Sequence, residues 1–328
     1  MRVMVTGGAG FFGANLVRCL AASAGAEEVV CADLALPDEA TAHYLAPFAE
    51  RVRGVQLDVT DRTAFVRLVR ELGITHLVHA AAITPDDAQE RAQPDAVVDI
   101  NLGGSINALA VLAQCPSLER LLLVSSSGVY GAAEAGKQAV AAPLDLSEDG
   151  PLHLDSLYAV TKRCAELLGE RYAAILGRPV AAVRLGPLYG PLERPGRTRP
   201  HTTAIHRLAA ALRAGQSVKV AGPEIVRDWT YVADAADAVS ALLQAPQWSH
   251  PVYNVSCGVG YPLHQAVEAF VAHGLHAAWV SSADEADVAM RPSQARTPLD
   301  ITRLREDTGF APRYDLAAGV DAYLQFAI

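Results

Sequence analysis

The chain has 328 residues, of which 51% are hydrophobic and 19% are charged, so it can bury a sizeable core and is not a disordered chain. Its 27 Lys and Arg residues against 36 Asp and Glu residues give a net charge of −9, which excludes an overall attraction to nucleic acid or to an anionic membrane surface. An anionic ligand would therefore need a local cluster of positive side chains.

The cysteines and the first residues indicate the compartment. Five cysteines are spread singly along the chain, which is typical of reduced, buried thiols and predicts neither a zinc site nor a redox pair. The sequence opens without the apolar segment of a signal peptide, and no apolar run approaches the roughly 20 residues that cross a bilayer. We predict a soluble, cytoplasmic protein with no metal site and with no nucleic-acid or membrane partner.

Short apolar segments alternate with longer helical patterns through residue 185. The segments predicted as strands are Arg2–Thr6, Glu28–Ala32, Val52–Gln56, His76–His79, Leu121–Ser125 and Val180–Leu185. Strands that are apolar on both faces and separated by helices indicate a buried parallel sheet with right-handed crossovers. The pattern predicts a doubly wound α/β fold.

The pattern changes after residue 185. Residues 186–201 are rich in proline and arginine, which is typical of a long functional loop rather than a flexible linker. The rest of the chain predicts a helix at about Thr202–Ala214, a short strand at about Val218–Val220, a helix at about Val232–Leu243, a strand at Val252–Val255 and two late helices.

Glycines follow the first predicted strand at a characteristic spacing. Gly7, Gly10 and Gly13 allow a tight turn, a close approach to a pyrophosphate and packing of the next helix on the sheet. A strand before them and an amphipathic helix after them predict a dinucleotide-binding site. Asp33 ends the second strand, where a carboxylate binds ribose hydroxyls and repels a 2′-phosphate, so NAD is favoured over NADP. The alternative is that Asp33 only opens a turn.

Two further strand ends face the same predicted site. Asp58 and Val59 follow the third strand, where the carboxylate either faces the adenine edge or caps the next helix. Ala80 and Ala81 follow the fourth strand, and such small residues let a cofactor lie against the backbone.

A tyrosine and a lysine four residues apart carry the strongest chemical signal. Tyr158 and Lys162 share one helix face, and three serines, Ser125 to Ser127, end the fifth strand. A nearby ammonium group, together with oxidised nicotinamide, stabilises a phenolate and lowers the tyrosine pKa toward the working range. Tyr158 can then remove or return a hydroxyl proton while hydride moves.

The chain resembles the extended short-chain dehydrogenase/reductases of the NAD-dependent epimerase/dehydratase family. The matching motifs are GGAGFFG at Gly7–Gly13, HAAA at His79–Ala82, DINLGG at Asp99–Gly104, SSSGVYG at Ser125–Gly131, YAVTK at Tyr158–Lys162, RDWTYVADAADAV at Arg227–Val239 and Arg291-Pro292. The resemblance implies a tightly held NAD, a Ser126–Tyr158–Lys162 catalytic set and a homodimer built from two helices per subunit. It adds Phe11, Phe12 and Asn101 to the cofactor residues, although Asn101 could equally be a helix cap.

Two departures from the family bear on the substrate. Family members that dehydrate or decarboxylate nucleotide sugars carry a glutamate where this chain has Gly128, so those reactions are disfavoured. Nucleotide-sugar members also tend to carry an asparagine after the arginine of the sixth strand, and the corresponding segment, which begins at Arg184, lacks it. This absence puts the contacts with a nucleotide diphosphate in doubt.

Several arginines point to an anionic substrate, either a diphosphate or a carboxylate. Arg227 and Arg291 match the arginines that grip the diphosphate in epimerases, and Arg184 and Thr84 complete the predicted substrate residues together with Ser126. The loop after Pro191 adds positive charge through Arg194, Arg197, Arg199 and His201. Asp234 and Asp237, three apart on a helix, predict a solvated face.

We predict an NAD-binding domain formed by residues 1–185 and 224–257 and a substrate lobe formed by residues 186–223 and 258–328. The first functional interpretation is a nucleotide-sugar epimerase that oxidises a carbinol transiently and returns the hydride to the other face. The alternative is a net NAD-dependent dehydrogenase of a free sugar, a sugar acid or another small hydroxy compound. A non-catalytic NAD sensor or scaffold is disfavoured by the intact catalytic set.

Overall fold

The computed structural model describes residues 1–131 and 146–326. The strands are, in chain order, β1 (Arg2–Thr6), β2 (Glu28–Asp33), β3 (Val52–Gln56), β4 (His76–His79), β5 (Arg120–Ser126), β6 (Val180–Leu185), β7 (Leu188–Tyr189), β8 (Val218–Ala221), β9 (Val226–Arg227), β10 (Thr230–Tyr231), β11 (Val252–Val255), β12 (Tyr261–Pro262), β13 (Ala277–Trp279) and β14 (Val288–Ala289). The predicted bounds of the main strands agree with these to within one residue at each end.

The helices cover both faces of the main sheet and fill the smaller lobe. They are α1 (Phe11–Ala22), α2 (Glu39–Leu45), α3 (Arg62–Glu71), α4 (Asp87–Ala92), α5 (Pro94–Val97), α6 (Gly104–Gln114), α7 (Leu157–Leu176), α8 (Ala204–Arg213), α9 (Val232–Gln244), α10 (Leu263–Val271), α11 (Thr302–Thr308) and α12 (Leu316–Gln325). A π-helical turn, Val98–Gly103, joins α5 to α6.

Seven parallel strands form the main sheet in the order β11-β6-β5-β4-β1-β2-β3. The chain runs outward from β1 to β3, then returns to β4 and continues in the opposite direction. The carboxyl ends of β1 and β4 therefore border the point where the strand order reverses, which is where ligands bind in such sheets. The predicted doubly wound α/β class is confirmed.

Alternate residues of β1 show why the sheet is buried on both sides. Val3 and Val5 are fully buried and pack in the core that contains α1 and α9. Met4, between them, is also fully buried but packs in the core that contains α3 and α6. Successive side chains of a strand point to opposite faces, so a strand covered by helices on both faces must be apolar throughout.

The smaller lobe has its own core and a three-stranded parallel sheet in the order β13-β8-β14. The helices α8, α10 and α12 pack around this core with Trp229 and Tyr231. Strand β11 lies between the two late segments of this lobe in sequence but pairs with β6 in the main sheet. The division into an NAD-binding domain and a substrate lobe at the stated residues stays a prediction.

Two expectations about individual segments are corrected. Asp234 is fully buried, not solvated, because its carboxylate accepts hydrogen bonds from the Arg313 and Tyr314 backbone N–H groups at 3.1 and 3.0 Å. The helical run Pro94–Gln114 is long and apolar enough to cross a membrane by length and composition, with a mean hydropathy of 1.6, contrary to the expectation that no such run is present. Half of it is buried inside the fold.

Candidate active site

A cavity of about 660 Å³ opens along the carboxyl ends of the central strands. Its volume lies in the range of small-molecule and cofactor sites. The predicted site residues that line it are Gly7, Gly10, Phe11, Phe12, Gly13, Asp33, Asp58, Val59, Ala80, Ala81, Thr84, Ser126, Tyr158 and Lys162. The structure therefore brings together the proposed cofactor fingerprint and the proposed catalytic set in one cavity.

The glycine loop leaves no room for side chains at two of its positions. A Cβ on Gly7, which has a φ of +67°, would lie 2.8 Å from the Ala81 backbone, and a Cβ on Gly13 would lie 1.9 Å from the Gly7 carbonyl oxygen. Helix α1 begins immediately after Gly10, which offers no capping side chain. The first N–H groups of α1 are therefore available to an anion, and the loop fits the pyrophosphate of a dinucleotide.

The carboxylate of Asp33 is fixed at the end of β2. It accepts hydrogen bonds from the backbone N–H groups of Ala9 at 3.0 Å and Leu34 at 2.7 Å. Burial raises its pKa, and these hydrogen bonds act in the opposite direction. A carboxylate oriented in this way in the cavity suits the hydroxyls of a cofactor ribose.

Asp58 lines the cavity, and its carboxylate also accepts hydrogen bonds within a local turn. One oxygen, Oδ1, accepts hydrogen bonds from the Thr60 backbone N–H at 2.9 Å and from the Thr60 hydroxyl at 2.7 Å. The cap of α3 is instead Asp61, which accepts from the Ala64 N–H. The role of Asp58 at the adenine edge stays a prediction, because one oxygen is already used.

The catalytic side chains come from two adjacent elements. Ser156 caps α7 by accepting from the Ala159 N–H, which fixes the first turn of the helix that carries Tyr158. Lys162 lies one turn later, with its Nζ atom 5.6 Å from the centre of the Tyr158 ring, and donates a hydrogen bond to the Val124 carbonyl at 2.8 Å. Ser126 ends β5 beside them, so a hydroxyl, a phenol and an ammonium group face one cavity.

Burial dominates the titration of the tyrosine and the lysine. It raises the pKa of Tyr158, while hydrogen bonds with Ser126 and Thr84 and the charge of Arg199 act in the opposite direction. It lowers the pKa of Lys162 to about 8, against the attraction of Glu166. The expected lowering of the tyrosine pKa therefore does not follow from the protein groups alone. The positive charge of oxidised nicotinamide is the remaining contribution in the predicted mechanism.

Protein groups occupy the guanidinium of Arg184, which corrects its predicted role as a substrate residue. Its guanidinium forms a buried two-point ion pair with Glu166, with Nε 2.9 Å from Oε1 and Nη2 2.8 Å from Oε2. Its Nη1 donates to the Tyr130 hydroxyl and to the Glu148 carbonyl. Because every nitrogen is occupied and the side chain is 1% exposed, Arg184 holds α7 to β6.

Asn101, Arg227 and Arg291 also lie outside the cavity lining. The Asn101 side chain accepts a hydrogen bond from the Ile83 backbone N–H at 2.8 Å and donates one to the Ile83 carbonyl at 2.9 Å. Asn101 therefore positions a cavity-lining loop rather than contacting a cofactor. Arg291 is a largely exposed side chain that lies 3.5 Å from Asp284.

Arg227 has a different environment from these arginines. Its Nε atom is enclosed and has no hydrogen-bond partner in the described part of the chain. Burial lowers the pKa of Arg227 to about 10, and the nearby positive charge of Arg296 lowers it further, against the attraction of Asp228. Arg296 lies alongside because its backbone N–H donates to the Val226 carbonyl at 3.0 Å. Two neighbouring cations, one with an orphaned donor, suit an anionic ligand.

Sequence reasoning missed three kinds of residue. Arg296 has no motif, and its proximity to Arg227 depends on a contact between distant segments. Thr198 and Arg199 line the cavity, although the sequence indicated only a basic loop around them. Glu166 could have been found, because it follows Lys162 by four residues and therefore shares its helix face.

The fold and the site define an NAD-dependent enzyme of the short-chain dehydrogenase/reductase type. Residues 3–256 match the NAD-dependent epimerase/dehydratase family. A dTDP-glucose 4,6-dehydratase of Mycolicibacterium smegmatis is 32% identical over 244 residues, which are 74% of this chain and 69% of the relative. A probable UDP-glucuronate 4-epimerase of Rhizobium meliloti is 29% identical over 252 residues, which are 75% of this chain and 69% of the relative.

Solved structures agree with this assignment. The structure of MoeE5 in complex with UDP-glucuronic acid and NAD is 27% identical, has a TM-score of 0.77 and covers 99% of this chain and 98% of that chain. The chain belongs to the NAD-dependent epimerase/dehydratase family. The predictions of the family, of an NAD-dependent enzyme and of NAD as its cofactor are confirmed.

Proposed function

We propose that this protein is an epimerase of a nucleotide-activated sugar. The observation that carries the proposal is an intact Ser126–Tyr158–Lys162 set, beside which the described residues place no acid in the cavity. Bound NAD supplies the acceptor and donor of hydride. The alternative, a net dehydrogenase of a free sugar or sugar acid, has one observation in its favour, the missing amide after Arg184.

The chain's own groups can move the substrate proton. Ser126 and Tyr158 present their hydroxyls to the same part of the cavity, so both can bind the oxygen of a carbinol. Lys162, held by the Val124 carbonyl, keeps a positive charge beside the phenol. Tyr158 takes the hydroxyl proton as the carbon is oxidised and returns it when the opposite face is reduced.

Gly128 argues against elimination of water. Its Cβ, if present, would lie 3.3 Å from the Ser126 Oγ and 3.6 Å from the Tyr158 ring, so a side chain here would point at the reacting groups. Among the described residues, the carboxylates that line the cavity are Asp33 and Asp58, both at the predicted adenosine end. A dehydratase needs an acid or base where this chain has glycine.

The nucleotide part of the substrate is supported by Arg227 and Arg296. Both side chains are partly buried, and the enclosed Arg227 Nε awaits an acceptor. Arg296 already donates from Nη1 to the Ser293 and Ala295 carbonyls. A diphosphate would supply an acceptor for the Arg227 Nε and negative charge for both guanidinium groups. Relatives act on dTDP- and UDP-linked sugars according to their names, which agrees with this assignment.

The test is incubation with a panel of UDP- and dTDP-sugars and, separately, with free sugars and sugar acids plus NAD. An epimerase interconverts two epimers without net NADH and, in deuterated water, leaves no deuterium at the inverted carbon. Stoichiometric NADH from a free sugar acid, with no epimer from any nucleotide sugar, would establish the alternative. Release of water from a nucleotide sugar would contradict the argument from Gly128.

Tyr158→Phe provides the matched control. It removes the proton-transferring oxygen and keeps the ring, so turnover should fall roughly 10²–10⁴-fold with NAD binding retained. Near-normal turnover in this variant would contradict the catalytic assignment.

We also propose that the protein works in the cytoplasm as a homodimer. Helix α7 exposes Val160 and Leu167, which are seven residues apart and share one face, and the neighbouring π-helical turn exposes Val98. An apolar face of this kind suits a second copy of the chain. Analytical ultracentrifugation should show a dimer that Leu167→Glu dissociates, whereas Val259→Glu, at a comparably exposed apolar position in the smaller lobe, should leave it intact.

A further inference from the structure

The segment formed by residues 192–203, here called the strap, runs along the cofactor cavity and ends at α8 of the smaller lobe. It begins at Leu192, which is buried and has a φ of +65°, the only positive φ of a non-glycine residue in the described part of the chain. A side chain with a β-carbon rarely adopts this conformation unless the surrounding structure imposes it. The strap therefore starts from a constrained turn.

Contacts fix the strap on both sides of the cavity. On one side, Arg194 lies 2.6 Å from the Asp38 carboxylate, at the start of α2. On the other side, the Thr198 carbonyl accepts a hydrogen bond from the Thr84 backbone N–H at 2.7 Å, and the Arg197 carbonyl accepts one from the Gln89 side chain. The strap is thus attached on both sides of the cavity, with Leu192 at its start packed in the core that contains α1 and α9.

These attachments place Arg199 inside the cavity. Its guanidinium lies 5.0 Å from the centre of the Phe11 ring, at the first residue of α1, and it lines the cavity. Its Nη2 atom lies 3.3 Å from Glu193, whose buried carboxylate also accepts hydrogen bonds from the Thr203 N–H and hydroxyl. Glu193 therefore orients Arg199 toward the glycine loop.

We propose that Arg199 binds the pyrophosphate of NAD from the side opposite the glycine loop, and that the strap retains the cofactor between turnovers. The N–H groups at the start of α1 provide only a partial positive charge, whereas a pyrophosphate carries two negative charges. An arginine adds a full charge and several donors in one plane. The strap must detach before the cofactor can leave.

The experiment measures ligand binding rather than turnover. NAD and ADP-ribose share the pyrophosphate, and adenosine lacks it, so the three are titrated by calorimetry into wild type, Arg199→Ala and Arg199→Gln. Arg199 variants should bind NAD and ADP-ribose about ten- to hundredfold more weakly and adenosine equally well. Arg305→Ala, which removes an exposed arginine of α11, is the control and should bind all three as wild type does.

A second variant tests the strap without changing the proposed pyrophosphate contact. Arg194→Ala removes the attachment to Asp38, so NADH release followed by stopped-flow fluorescence should become at least severalfold faster. Unchanged NAD and ADP-ribose affinities in both Arg199 variants would overturn the pyrophosphate contact. If UDP, titrated in the same way, then bound more weakly to these variants, Arg199 would be assigned to the substrate. Unchanged release from Arg194→Ala would overturn the retention role. None of these outcomes depends on whether the protein epimerises a sugar.

Discussion

Arg184 on β6 and Arg227 on β9 are two desolvated arginines with opposite surroundings. Arg184 meets Glu166 in a two-point ion pair, and this partner raises its pKa. Arg227 has a like-charged neighbour, Arg296, and an orphaned Nε, and burial lowers its pKa to about 10. A buried arginine whose partner is supplied by the fold stabilises the fold, whereas one without a partner marks a place where a ligand completes the structure.

Breaking the buried pair should have the largest effect on stability. Glu166→Gln leaves Arg184 buried without its counterion, so the free energy of unfolding should fall by about 3–5 kcal/mol. Urea denaturation measures this, with Glu71→Gln as the matched control, because Glu71 belongs to an exposed pair with Arg67 at 4.0 Å. That control should change stability by less than about 1 kcal/mol. Equal effects of the two substitutions would remove the distinction between the buried and the exposed ion pair.

The same pair predicts a pH dependence. The ion pair and hydrogen bonds lower the pKa of Glu166 in the folded protein. Its stabilisation is therefore present at pH values above the unfolded pKa of about 4.3 and is lost as the pH falls through the lower folded value. Glu166→Gln should consequently show a weaker loss of stability than wild type below about pH 4. Parallel acid-unfolding curves would contradict this assignment.

Arg227→Met should lower ligand affinity more than stability, the reverse of Glu166→Gln. The substitution removes a desolvated charge whose Nε has no hydrogen-bond partner in the described part of the chain, so stability of the ligand-free protein should not fall by the amount expected for Glu166→Gln. The affinity for UDP should fall about ten- to hundredfold, or about 1.4–2.8 kcal/mol, because a charged contact with the diphosphate is lost. Calorimetric titration with UDP measures the affinity, and uridine serves as the probe that should be unaffected. A stability loss with unchanged UDP affinity would make Arg227 a structural residue.

For the second arginine at the diphosphate, the structure indicates Arg296 and the sequence motif indicates Arg291. The sequence assigned the second diphosphate arginine to Arg291, but this side chain is exposed near Asp284, and Arg296 lies beside Arg227. Arg296→Ala should weaken UDP binding about tenfold, near 1.4 kcal/mol, while Arg291→Ala should change it by less than twofold. The opposite ranking, measured in the same titrations, would restore the motif assignment.

The parts of the site that depend on the spacing of nearby residues could be predicted from the sequence. The glycine loop requires residues without side chains at Gly7 and Gly13, and Tyr158 and Lys162 share a helix face at any packing of that helix. Partners in distant segments could not be predicted in this way. The buried state of Asp234 depends on backbone groups 79 and 80 residues away, and the position of the strap depends on a hydrogen bond between Thr84 and Thr198.

Arg184 shows most clearly what a sequence motif cannot predict. Its place in the family pattern suggested a substrate contact, but its function is decided by Glu166, 18 residues earlier on another element. A motif identifies the type of side chain at a strand end, whereas the role of a charged group depends on which counterion the packing supplies. The same reasoning explains why Arg296 was not predicted.

The smallest expected effect is a shift in Tm when inorganic pyrophosphate binds at Arg227. Inorganic pyrophosphate can also reach the glycine loop, so the protein is first saturated with NAD, which occupies that site. At a pyrophosphate concentration equal to its dissociation constant, binding stabilises the folded state by about 0.4 kcal/mol, which should raise Tm by about 1 °C. Sodium chloride at the same ionic strength controls for screening, because it weakens the repulsion between Arg227 and Arg296 without binding between them. Arg227→Met should lose the pyrophosphate shift and Arg291→Ala should keep it. A shift retained in Arg227→Met would show that the anion binds elsewhere, and the contrast between Arg184 and Arg227 would then lose its functional meaning.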